Sequence, residues 1–186
     1  MLNLNTTNNT SNTRKLTQTA LFVALGVLLP TVFHTIPRAG GIFLPMHIPI
    51  LLCAVVCGFP YGTICAVLMP LLSNAFTGMP DAAMLPSMMF ELLVYGAVTP
   101  LLMRVVKVKN FYAKIYIVLI GAMLCGRAAG GVANALIFRA GNYSFEIWLS
   151  AAFLISWPGI LIQLAVIPSI LVALKKARLF NAGIGY

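Results

Sequence analysis

Apolar residues run along the chain from about Leu16 to Leu174, and the short breaks between them are where Pro, Gly and charged residues collect. This pattern marks six apolar segments, over residues 16–36, 45–57, 61–76, 83–105, 111–138 and 145–174, and each predicts a helix. A membrane β-strand would alternate between polar and apolar positions. Residues 116–124, Tyr-Ile-Val-Leu-Ile-Gly-Ala-Met-Leu, show no such alternation, which argues against a closed barrel. The second and third segments are short against the ~20 residues that cross a hydrocarbon core, so they are expected to span only with shielding from their neighbours.

Composition strengthens the membrane assignment. The chain is 61% hydrophobic and 8% charged, against roughly 25% charged in an average soluble domain. A soluble fold of 186 residues has no interior large enough to hide so much apolar surface. The expected fold is therefore all-α and polytopic, with six transmembrane helices in a membrane domain over residues 14–178. A disordered Asn/Thr-rich tail over residues 1–13 and a short tail over 179–186 flank it. The first tail does not read as a signal peptide, because the cations follow it.

The net charge of +9 first raises nucleic acid as a partner, but the placement of the charge argues against one. Nine of the twelve basic residues fall in three clusters: Arg14 and Lys15; Arg104, Lys107, Lys109 and Lys114; Lys175, Lys176 and Arg178. Each cluster flanks the end of an apolar segment, as retention on the cytoplasmic side requires. The opposite loops carry Arg38, Asp81, Arg139 and Glu146, which cancel. Both termini are therefore expected in the cytoplasm, with the protein in the cell membrane.

Against this background two charges are expensive where they sit. Glu91 lies in the fourth segment and Arg127 near the middle of the fifth, where a charge is usually paired or functional. Two readings stay open: a buried Arg–Glu ion pair that fixes helix register, or a ligand-facing role for at least one of them. Tyr95 shares a helix face with Glu91, and Asn134 shares one with Arg127 across Gly130 and Gly131. Trp157, Pro158 and Gln163 bring an aromatic ring, a kink and an amide to the sixth segment. His34, Pro37, Arg38, Gly40, Gly41, Pro45 and His47 make the first outer loop irregular, a candidate lid with His34 and His47 as candidate ligand contacts. Cys53 and Cys57 share a face but have no His or carboxylate beside them, so they read as small hydrophobes rather than metal ligands. No P-loop, H-E-x-x-H or G-x-S-x-G motif is present, and neither a metal, a cofactor nor an enzymatic activity is expected.

The stretches "RKLTQTALFVALG", "FLPMHIPILL" leading to "GFPYG", and "GMP" followed by "FELLVYG" resemble the substrate-binding S components of energy-coupling factor (ECF) vitamin importers. The resemblance covers about residues 14–176. It implies a six-helix membrane subunit that captures a vitamin from outside, works with a transmembrane coupling subunit and two cytoplasmic ATPases, and topples in the lipid to release its cargo. It further implies that Ala20 and Ala24 contact the coupling subunit. The pocket would be built from the first outer loop and the last three helices, here His34, His47, Glu91, Tyr95, Arg127, Asn134 and Trp157. Arg127 suits a carboxylate, which makes pantothenate the first choice, ahead of cobalamin, riboflavin, folate or a pyrimidine precursor. The rival readings are a stand-alone ion-coupled secondary transporter and a structural or assembly membrane protein.

Overall fold

Each apolar segment of the sequence carries helix in the computed structural model, which describes residues 4–32, 39–138 and 141–177. The helices are α1 (Leu4–Val32), α2 (Ala39–Phe43), α3 (His47–Cys57), α4 (Tyr61–Thr77), α5 (Leu85–Val105), α6 (Phe111–Ala133), α7 (Phe145–Leu149) and α8 (Trp157–Lys176). Two π-helical stretches, Asn134–Phe138 and Ser150–Ile155, extend α6 and α7. No strand occurs among the described residues. Among the described residues, five stretches are long and apolar enough to cross a membrane: Asn12–Val32, Gly40–Cys57, Leu85–Val105, Phe111–Phe138 and Trp157–Lys176. Helices satisfy their own backbone hydrogen bonds, which is why lipid tolerates them. The protein is an all-α polytopic membrane protein.

The third segment forms α4, apolar but shorter at 17 residues. It lies against α1, α3 and α5. A Cβ on Gly62 would come within 2.8 Å of the Gly96 carbonyl oxygen, so α4 and α5 meet backbone to backbone. Ile50, Leu51, Leu92, Leu119, Ile167 and Leu171 fill the interior, while Leu21, Leu28, Leu124 and Leu161 face outward, as they do when the surroundings are lipid.

Three departures from the expected segments have local causes. The second segment forms α3 close to its expected bounds, but the loop before it, expected to be irregular, carries the short helix α2, and Leu44, whose φ is 51°, and Pro45 separate the two helices. The last segment is interrupted at Ser156, where Pro158 lacks an amide N–H and its ring crowds the carbonyl one turn back, so the helix upstream widens into the π stretch. At the other end of the chain α1 starts at Leu4, and residues 4–13, expected as a tail, continue its helix. Extending an existing helix avoids the cost of nucleating one, even through poor helix formers such as Asn and Thr.

The basic clusters gather at one end of the bundle. Lys15 Nζ lies 5.9 Å from the centre of the Tyr61 ring at the start of α4, and Lys175 Nζ lies 4.1 Å from the centre of the Phe111 ring at the start of α6. This is the end that the positive-inside rule assigns to the cytoplasm. Asp81, before α5, and Glu146, in the first turn of α7, sit at the opposite end.

Candidate solute-binding site

The site is built first on α5. Glu91 and Tyr95 are one turn apart, and the Tyr95 hydroxyl donates to Glu91 Oε1 at 2.5 Å. The facing helix α6 makes room for them with small residues. A Cβ on Gly126 would overlap the Tyr95 ring, and one on Gly130 would lie 3.3 Å from Glu91 Cβ. His47 opens α3 beside this pair, its ring centre 5.3 Å from that of Tyr95 and its Nε2 3.7 Å from Glu91 Oε1. The carboxylate is thus approached by a phenol and an imidazole, each contributed by a buried side chain.

Arg127, one residue beyond Gly126, belongs to a different set of contacts. It is buried and donates through Nη1 to the carbonyl of Ala152, inside the second π-helical stretch. Ser156 Oγ donates to the same oxygen at 2.7 Å. The Arg127 guanidinium carbon stands 5.8 Å from the centre of the Phe153 ring, and its own carbonyl accepts the Trp148 indole N–H at 3.0 Å. Arg127 therefore ties α6 to the outer end of the last segment in both directions. Its Nε and Nη2 are buried and have no hydrogen-bond partner among the described residues. Among those residues no Arg127–Glu91 ion pair forms, since Glu91 meets His47 instead.

The remaining candidates are distributed unevenly. Asn134 donates through Nδ2 to the Gly130 carbonyl at 2.9 Å, and its Oδ1 is buried without a partner among the described residues. Trp157 is 58% exposed and stands apart from this cluster; Trp148 is the tryptophan beside Arg127. A single continuous helix over 145–174, as the sequence suggests, gives no reason to prefer either ring. His34 and Arg38 lie outside the described residues. Ala20 and Ala24 are exposed on α1, on a strip that also carries Leu21 and Leu28. Gln163 is fully buried with neither amide atom paired among the described residues, a residue that the sequence singles out only as an amide within a span.

A separate cavity of about 330 Å³ lies between α1, α3 and α8, lined by Phe22, Leu29, Phe43, Leu52, Ile162 and Val166 among others. Its apolar walls offer a polar solute nothing. The polar groups around Glu91 and Arg127 carry the candidate site.

The described residues thus enclose buried polar atoms of His47, Arg127, Asn134 and Gln163 without partners, inside an all-α membrane protein. Residues 14–174 match the family model of the ECF transporter, substrate-specific component, and the chain belongs to that family. It is the substrate-binding subunit of an ECF transporter. No curated protein and no solved structure matches the chain.

Proposed function

We propose that this subunit captures a carboxylated vitamin or vitamin precursor at the outer face of the cell membrane, with pantothenate as the first candidate. Cobalamin, riboflavin, folate and a pyrimidine precursor are the alternatives. The observation that carries this reading is the buried Arg127 guanidinium, which has one carbonyl and one ring as neighbours and two nitrogens to spare among the described residues. A planar guanidinium presents Nε and one Nη as parallel donors that match the two oxygens of a carboxylate. Away from water such a pair is strong, and leaving the donors unmatched is costly. Glu91 does not compete for them, because Tyr95 and His47 already engage it. In this reading Glu91, Tyr95 and His47 form one wall of the site, Asn134 lies beside Arg127, and Trp148 holds the arginine backbone in register. His34, a candidate contact of the first outer loop, lies outside the described residues.

Release is assigned to an ECF coupling subunit driven by two ATPases, which the exposed Ala20 and Ala24 on α1 would meet. Small side chains let two helices approach closely in lipid, where burial of apolar surface gives no driving force. Reconstitution tests this. Uptake of radiolabelled pantothenate into liposomes should require the coupling subunit, both ATPases and ATP. Sustained uptake by the chain alone under an ion gradient would establish a secondary transporter instead.

A further inference from the structure

The proposed capture site leaves the Gln163 amide without a task. Gln163 on α8 is 0% exposed, and both its Nε2 and its Oε1 lack a hydrogen-bond partner among the described residues. An amide in that position has lost its water and gained nothing in return, which native folds rarely accept without a reason.

Its surroundings place it in the bundle. Gly159, one turn earlier on the same face, packs directly on the chain at Ile42 and Phe43: a Cβ there would lie 2.6 Å from the Ile42 carbonyl oxygen. His47 follows Phe43 by one further turn of chain, and α3 and α8 both run inward from this end while packing against each other. Gln163 and His47 are therefore brought to a similar depth. His47 directs Nε2 at Glu91, and its Nδ1 is buried without a partner among the described residues. Two groups on neighbouring helices thus leave an amide and an imidazole nitrogen unpaired, and either can meet a hydroxyl or an amide of a solute.

Arg127 meets the Ala152 carbonyl, eleven residues before Gln163 on the same last segment, while His47 and the glycines flanking Arg127 pack on the same Glu91–Tyr95 pair. We infer that Gln163, assisted by His47 Nδ1, is a specificity-determining residue that binds a neutral hydrogen-bonding group of the solute, a hydroxyl or an amide, apart from the anionic group held by Arg127. This rests on the proposed capture of a carboxylated solute. The solute class is then an anion with an uncharged hydrogen-bonding end, which excludes simple fatty acids and compounds carrying a second charge at that end.

Gln163→Met and Gln163→Leu keep most of the volume and remove an uncompensated amide, so both are expected to melt at or above the wild-type temperature. Binding would be measured on the full chain in lipid nanodiscs with pantothenate, folate, riboflavin, cobalamin and a thiamin pyrimidine precursor as probes. The expected result is that whichever compound binds the wild type binds each variant about tenfold or more weakly, the loss of a dry hydrogen bond. A variant that binds the same compound within about twofold of wild type overturns the role of Gln163 while capture stands. If the wild type binds none of the five, the capture reading fails and this inference falls with it.

Discussion

The carboxylate of Glu91 belongs to Tyr95. The phenol one turn along α5 donates to it at 2.5 Å, and its ring is seated where Gly126 leaves α6 without a side chain. Arg127, the other intramembrane charge, forms no ion pair with Glu91 among the described residues. Removing the hydroxyl by Tyr95→Phe keeps the ring in its seat but strips a donor from a charged acceptor. Thermal unfolding in detergent is expected to show a loss of about 1.5–3 kcal/mol. An unchanged midpoint would mean that water replaces the phenol at little cost.

Gly126 is the complementary probe. Gly126→Val drives two methyl groups into the Tyr95 ring, and overpacking of this kind costs about 1–3 kcal/mol or more. The same change at Gly40, where an added Cβ would meet nothing within 4 Å, should be tolerated. Side-by-side melting of the two variants checks the contrast.

Arg127→Lys separates charge from geometry. A lysine keeps the positive charge but loses the planar fork and the stack on Phe153. Pantothenate affinity, measured by isothermal titration, is expected to fall about tenfold or more while the protein still folds. Equal affinity would show that a point charge suffices and that no bidentate contact forms.

Trp148→Phe tests whether the tryptophan positions Arg127. The variant retains an aromatic ring near Phe153 and Gly131 and loses only the N–H that bonds the Arg127 carbonyl. Stability should drop by about 0.5–1.5 kcal/mol. Affinity for pantothenate should drop with it, whereas Trp157→Phe, at an exposed ring, should leave both unchanged.

Ala20→Leu combined with Ala24→Leu addresses the coupling face. Both positions are exposed, so folding and solute binding should be preserved, with stability within about 0.5 kcal/mol. Co-purification with the coupling subunit and ATPases should be lost. Retained assembly would move the interface elsewhere on the bundle.

Much of the architecture is legible in the sequence, because a lipid solvent imposes long apolar helices and the charge bias orders their ends. Segments such as 111–138 and 83–105 need no tertiary information to be recognised. The break at Leu44 and the π stretch before Pro158 are harder to foresee, since both depend on how a proline disturbs the turn before it. Glu91 and Arg127 stand out through the cost of burying charge. Their partners do not, because a side-chain contact between α3 and α5, or between α6 and the last segment, has no local spacing to reveal it. Trp148 illustrates this: it is ordinary in its own segment and distinctive only by the Arg127 carbonyl it meets across the bundle.

The most direct test of the central claim is to identify the solute carried by the protein itself. Mass spectrometry of material purified from cells grown in a rich medium should find one small carboxylate with an uncharged polar end, near one per chain, and should find it depleted from Arg127→Gln. A neutral or cationic solute, or equal loading of Arg127→Gln, would contradict the account.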